Sequence, residues 1–84
     1  MDRRDAIKHY IVAEFAPDIR AADLDPDYDL IAGGVVDSLG LLRVIDWLER
    51  EFGLPVDQVE LAPESFRTVN EINKFIQRNV KEKD

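Results

Sequence analysis

The sequence predicts an all-α protein, a small bundle of three to four helices with a long loop between the first and second helices. Apolar residues recur at intervals of three or four in three separate segments, which is the period of an amphipathic helix. No segment alternates apolar and polar residues over the length of a convincing strand. The 84 residues are enough for one domain, and we interpret 1–84 as a single domain.

The first helix is predicted from about Arg3 to Phe15, and it ends before Pro17 because proline cannot continue a helix. Its apolar stripe consists of Ile7, Tyr10, Ile11 and Phe15. The acidic stretch 18–37 follows, and a structureless loop of that length is unusual in a small domain. We therefore expect it to contain a helical turn and to be held to the core by its apolar residues, which are Leu24, Tyr28, Leu30 and Ile31.

The second helix is predicted from Ser38 to Phe52. Asp37 precedes it as an N-cap, because a carboxylate there can accept hydrogen bonds from the free N–H groups of the first turn. Gly53 follows as a C-terminal stop. The apolar face of this helix consists of Leu41, Val44, Ile45, Leu48 and Phe52.

A capping box predicts the start of the last helix, since the side chains of Thr68 and Glu71 can each accept from the other's backbone N–H. The apolar stripe that follows consists of Val69, Ile72, Ile76 and Val80. Two segments between the second and last helices, 56–61 and 63–66, each have the length of one helical turn.

Charge and composition narrow the class of function. Eighteen acidic residues against eleven basic ones give a net charge of −7, which argues against nucleic acid and anionic membranes and favours partners with basic patches. The chain has no cysteine, and no apolar run approaches the ~20 residues of a membrane span. The charged start lacks the apolar stretch of a signal peptide. We expect a free-standing, monomeric, cytoplasmic domain.

Catalytic chemistry is disfavoured. Ser38 and Ser65 are the only serines, His9 is the only histidine, and no base is apparent beside either serine. Aspartates alternate along 23–29 in the manner of a calcium loop, but Tyr28 and Gly34 stand where such a loop needs Gly and Glu. We therefore predict no catalytic residue and no metal site, and interpret the segment as a solvated acidic loop.

Ser38 itself has two interpretations, an ordinary helix-start residue or a functional serine. Its neighbour Leu39 lies about 120° around the helix from Ile45, on the side where Arg43, Asp46 and Arg50 also fall. An apolar residue off the core face indicates a contact surface for partners. The alternative is that Leu39 packs on the preceding loop.

Asp37-Ser38-Leu39, opening a long amphipathic helix after a Gly-containing loop, resembles the attachment motif of acyl carrier proteins. The resemblance covers nearly the whole chain, in the order and lengths of the helices and in the entry to the last helix at 63–69. It implies that a phosphopantetheinyl transferase attaches 4'-phosphopantetheine from coenzyme A to Ser38, and that Asp37 helps to engage the transferase and its metal. The arm would supply the thiol that this cysteine-free chain lacks and would hold cargo as a thioester.

The same resemblance implies that Leu39 and the exposed side of the second helix form the partner-recognition surface. We assign to it Arg43, Asp46, Trp47 and Arg50. Gly40 stands where an acidic residue is common in the family, and the two arginines interrupt the acidic face, which favours dedicated partners over general fatty-acid enzymes. Trp47 lies away from the core stripe, where it either anchors a partner or covers a neighbouring loop.

The sequence thus predicts a carrier protein, not an enzyme, that shuttles an acyl or aminoacyl group between enzymes of a specialised pathway. The pathway would be polyketide-like, nonribosomal-peptide-like or similar to that of D-alanyl carriers. An acyltransferase or adenylating ligase would load the cargo, and a condensing or transferring enzyme would receive it. The alternatives are a housekeeping fatty-acid acyl carrier protein and an unmodified helical interaction domain.

Overall fold

The computed structural model describes residues 2–80. Within that range the chain forms three α-helices, which are α1 (Arg3–Phe15), α2 (Ser38–Phe52) and α3 (Val69–Asn79). Two short 3₁₀ helices lie in the connections, at Ala21–Asp23 and Pro63–Phe66, and these residues include no strand. The prediction of an all-α bundle is confirmed, and the bounds of α1 and α2 are those expected from the sequence.

The three α-helices and the connections between them form one apolar core, which contains no polar or charged side chain of residues 2–80. The helices supply Ile7, Ile11, Val44, Leu48, Val69, Ile72, Phe75 and Ile76, and the connections supply Leu24, Leu30, Val36, Leu54 and Phe66. Complete burial of one such side chain stabilises the fold by ~1.5–3 kcal/mol relative to an exposed position. The stripes predicted for the three helices therefore all face inward.

The long loop is held by its apolar residues, although not by all of those predicted. Leu24 and Leu30 are buried, and the expected helical turn is the 3₁₀ helix Ala21–Asp23. Tyr28 was expected in the core and is instead 43% exposed. Its ring lies over Gly33, where an added Cβ would overlap the phenol. The absence of a side chain at Gly33 thus lets the Tyr28 ring rest on the loop itself.

Hydrogen bonds fasten the same loop to the start of α3. The N–H of Leu30 donates to the carbonyl oxygen of Arg67 at 2.6 Å, and the N–H of Asn70 donates to that of Pro26 at 3.0 Å. The side-chain amide of Asn70 also donates to Asp27 Oδ1 at 2.6 Å. The first two bonds satisfy backbone groups of the loop and of the first turn of α3 that have no partner within a helix, so the loop follows a defined path although it is not helical.

The connection from α2 to α3 begins at Gly53, whose φ of 72° closes the helix in the left-handed region, as predicted. A helical turn was one possibility for 56–61, but the segment forms a hydrogen-bonded turn at 56–58, in which Gln58 N–H donates to Pro55 O at 2.9 Å, and no helix. Glu71 N–H donates to Thr68 Oγ1 at 3.0 Å, which supplies the Thr68 half of the predicted capping box.

Candidate functional site

Ser38 is the first residue of α2 and is exposed to solvent. The preceding Asp37 has an extended backbone, and its Oδ1 accepts from Gly40 N–H at 2.7 Å. Asp37 is therefore the N-cap expected from the sequence. The cap holds the first turn of the helix in place and leaves the serine at its outer edge.

Within residues 2–80, the Ser38 hydroxyl has no hydrogen-bonded side chain that could act as a base. Among residues 2–80 its side chain makes no hydrogen bond, and His9 lies on α1 beside Asp5, Lys8 and Ala21. A serine that acts as a catalytic nucleophile needs a base within hydrogen-bond reach. The Ser38 hydroxyl is accessible from solvent.

The first turn of α2 packs closely on the end of α1. Gly40 is buried, and an added Cβ there would lie 2.8 Å from Cε1 of Phe15. Any side chain at position 40 would therefore displace the Phe15 ring.

An exposed apolar pair lies next to the serine. Leu39 is 73% exposed and Leu42 is 63% exposed. The alternative that Leu39 packs on the preceding loop is thus wrong. Leu42 was not identified from the sequence, although its position three residues after Leu39 places both on one side of the helix.

The charged residues assigned to this surface form two ion pairs. Arg50 Nη2 lies 2.9 Å from Asp46 Oδ2, one helical turn earlier. Arg43 Nη1 lies 3.3 Å from Glu14 Oε1 of α1. Exposed pairs of this kind contribute ~0.2–1 kcal/mol each. Arg43 therefore reaches toward α1, whereas Asp46 and Arg50 remain together on α2.

The sequence placed Trp47 away from the core stripe, but in the structure it is half-buried and packs against the core. Its ring stacks on Tyr10 of α1, with centroids 4.3 Å apart and planes 9° apart, and meets Phe52 edge-on at 5.4 Å. The periodicity of α2 could not reveal this, because the contact depends on where α1 lies. Its assignment to the partner surface stays a prediction.

Tyr10 joins the two helices by a hydrogen bond as well as by stacking. Its hydroxyl donates to the carbonyl oxygen of Arg43 at 3.1 Å. Burial raises the pKa of the Tyr10 phenol above its usual value, and the Glu14 carboxylate raises it further. The phenol therefore keeps its proton, and can donate, well above neutral pH.

No group of three or more His, Cys, Asp or Glu side chains within 2–80 is placed to hold a metal ion. No helix in the same range is long and apolar enough to cross a membrane.

The fold is a small helical bundle in which an exposed serine, Ser38, begins the second helix. The model of the phosphopantetheine attachment site family matches residues 9–76, which is most of the chain. The protein belongs to that family, whose members are carriers with a covalently attached 4'-phosphopantetheine. The expected family and cofactor are confirmed.

Two solved structures of a peptidyl carrier protein, KstB-PCP, are similar to this chain. The structure of its apo form is 50% identical, covers 86% of this chain and 79% of that one, and superposes with a TM-score of 0.76. A solution structure of KstB-PCP in kosinostatin biosynthesis is 45% identical, covers 100% of this chain and 94% of that one, and has a TM-score of 0.69. A comparison with curated proteins finds no match.

Proposed function

We propose that this carrier holds an aminoacyl or acyl group as a thioester on a 4'-phosphopantetheine arm attached to Ser38. The observation that supports the proposal is the exposure of Ser38 at the first position of α2, directly after the Asp37 cap. The bound arm supplies a thiol, and the chain itself contains no cysteine. Residues 1–84 would act as one carrier domain with no catalytic residue of its own.

The attachment requires chemistry that the transferase provides. A base on the transferase would take the Ser38 proton, and the oxygen would attack the phosphorus of coenzyme A that bears the pantetheine. The new P–O bond replaces the bond to 3',5'-ADP, which leaves. Asp37 uses Oδ1 for the cap at Gly40 N–H, so its second oxygen is available to engage the transferase and its metal.

The similarity to KstB-PCP supports an aminoacyl or peptidyl cargo and a specialised biosynthetic pathway over housekeeping fatty-acid synthesis. An adenylating ligase would load the thiol, and a condensing or transferring enzyme would receive the cargo. The surface next to Ser38 that these partners would read contains the predicted residues and Leu42. All of them are exposed except Trp47, which is half-buried; they are Leu39, Leu42, Arg43, Asp46, Trp47 and Arg50. The cytoplasm, where coenzyme A is available, is the location that this proposal requires.

Intact-mass measurement tests the attachment. The apo-protein, incubated with coenzyme A and a broad-specificity phosphopantetheinyl transferase, should gain the mass of one arm. Ser38→Ala should gain nothing, and Ser65→Ala is the matched control because Ser65 is the only other serine. The proposal is contradicted if the wild-type protein gains no mass while a known carrier is modified in the same tube. The chain would then be an unmodified interaction domain.

A loading assay tests the class of cargo. The holo-protein is offered separately to an amino-acid-activating ligase and to a fatty-acyl ligase, each with ATP and its substrates. We expect an aminoacyl thioester, seen as a mass gain that hydroxylamine removes. Efficient loading by the fatty-acyl ligase alone would instead favour the fatty-acid carrier.

A further inference from the structure

A groove of about 370 Å³ lies between the end of α1 and the long loop. Its apolar walls, which define what we call the loop groove, are Ile19, Leu24, Tyr28 and Val35. Leu24 is part of the core, whereas Ile19 is 39% exposed and Tyr28 is 43% exposed. The loop groove thus has a fixed apolar floor and is open to solvent.

Carboxylates also line the loop groove. Asp18, Asp23 and Asp25 contribute to its lining. Asp23 is paired with Arg20, whose Nε lies 3.1 Å from Asp23 Oδ2. Neither Asp18 nor Asp25 has an ion-pair partner among residues 2–80. Two negative charges at the rim are therefore not neutralised by an ion pair with any of residues 2–80.

We propose that the loop groove receives the aminoacyl group carried on the arm at Ser38. The side chain of the cargo contacts the apolar walls, and its α-ammonium group faces Asp18 and Asp25. An aminoacyl thioester combines a cation with a neighbouring apolar group, which is the complement of this groove, whereas a fatty-acyl chain has no cation. The inference rests on the proposed attachment and on an aminoacyl cargo.

The arm is long enough to reach. Val35 lies only three residues before Ser38, so their backbones are at most ~11 Å apart. The pantetheine part of the arm contains two amide units and extends further than three residues of backbone. Its terminal thioester can therefore enter the loop groove while the phosphate stays at Ser38.

Docking in an open groove is reversible, which a carrier needs in order to release its cargo to a partner. In the docked state the thioester lies beside a wall that shields it from water. We expect the aminoacyl thioester to hydrolyse about two- to fivefold more slowly on the protein than on free pantetheine. This factor corresponds to the stabilisation that one exposed ion pair supplies.

Loading through the transferase tests the inference without a pathway enzyme. The transferase moves the entire arm from three coenzyme A derivatives onto the apo-protein: unloaded coenzyme A, leucyl-coenzyme A, and 4-methylpentanoyl-coenzyme A, which has the leucine side chain but no amine. Amide analogues of the two thioesters keep the cargo in place during NMR. We expect amide shifts at Ile19, Leu24, Tyr28 and Val35 that are large with leucyl and smaller with 4-methylpentanoyl.

Matched variants assign the contacts. Ile19→Ala should reduce these shifts about three- to tenfold, whereas Leu61→Ala should not, although both residues are 39% exposed. Asp18→Asn should reduce them with leucyl only, and Asp57→Asn, an exposed acid outside the loop groove, should leave them unchanged. The same Ile19 and Asp18 variants should speed hydrolysis of the leucyl thioester.

Three results would overturn the inference. Equal shifts in the unloaded and leucyl forms would mean that the groove binds pantetheine. Shifts with 4-methylpentanoyl as large as those with leucyl would remove the role of the carboxylates. If the amide shifts of the groove residues do not change in any loaded form and change only when a ligase is added, the groove is a partner-binding site. Failure of the attachment itself is distinguishable, since it appears as a missing mass gain before any spectrum is recorded.

Discussion

The ring of Phe15, at the last position of α1, occupies the space where a side chain at Gly40 would begin. The distance from Phe15 Cε1 to a Cβ built on Gly40 is 2.8 Å, and Asp37 Oδ1 would lie 3.2 Å from the same atom. One contact therefore joins the end of the first helix to the turn that carries the N-cap and Ser38.

Gly40→Ala should destabilise the protein, although alanine ordinarily favours a helix over glycine by ~0.5–1 kcal/mol. The new methyl group displaces the Phe15 ring, and overpacking of this kind costs ~1–3 kcal/mol. Urea unfolding measures the change. Phe15→Leu in the same background should recover part of the loss. A more stable Gly40→Ala protein would show that the ring moves away at little cost.

Two substitutions at Asp37 separate its structural role from its proposed role with the transferase. Asp37→Ala removes the cap and should cost ~0.5–2 kcal/mol. Asp37→Asn keeps an oxygen for Gly40 N–H and should retain most of the stability. Both should slow attachment of the arm, measured as mass gain over time at limiting transferase. Wild-type rates for Asp37→Asn would mean that the charge plays no part.

Trp47→Ala should lower stability by about 2–4 kcal/mol, because it removes the ring that stacks on Tyr10 and contacts Phe52. Trp47→Phe should restore a large part of it. Thermal unfolding followed by circular dichroism gives both values. If Trp47→Ala leaves the melting temperature unchanged and affects only partner transfer, the residue is a recognition anchor alone.

The sequence predicted these helices well because their ends depend on local signals. Asp37 and Gly53 set the limits of α2, and Pro17 follows α1, so neighbouring residues decided the bounds. The exposed serine and its cap could likewise be located from the segment itself. The 3₁₀ helix at Pro63–Phe66 also fell where a single turn was expected.

Contacts between distant segments could not be predicted in the same way. Periodicity gives the angle of Trp47 around its own helix. Whether that side of α2 is buried or exposed depends on where α1 packs, which periodicity does not give. The same limit applies to Phe15 against Gly40. The exposure of Leu42, in contrast, could have been predicted. Its position outside the apolar stripe that contains Leu41 and Val44 is visible in the sequence.

The phenol of Tyr10 should lose its proton at a higher pH than an ordinary tyrosine, for which the pKa is 10.0. Burial raises the pKa of Tyr10, and the Glu14 carboxylate raises it further. Phenolate absorbance of the wild type minus that of Tyr10→Phe isolates this group. A raised pKa means that the folded state holds the proton more tightly. This stabilisation is present below the unfolded pKa of ~10 and is lost as pH rises through the folded value. A difference curve centred at or below 10 would contradict this.

Leu39→Ala and Leu42→Ala should change the free energy of unfolding by no more than ~0.5 kcal/mol, since both side chains are mostly exposed. They should reduce the rate at which a ligase loads the holo-protein. Leu61→Ala, another exposed apolar residue but outside α2 and outside the loop groove, serves as the control for loading rate. Unchanged loading in both leucine variants would place the partner surface elsewhere.

The bonds that tie 26–30 to 67–70 have a consequence for engineering. The two stretches are about forty positions apart in sequence, yet each supplies the other's hydrogen-bond partners. A chimaera that exchanges one of them alone with another carrier would lose matched donors and acceptors on both sides. Crossover points for grafting should therefore be chosen so that both stretches come from the same parent.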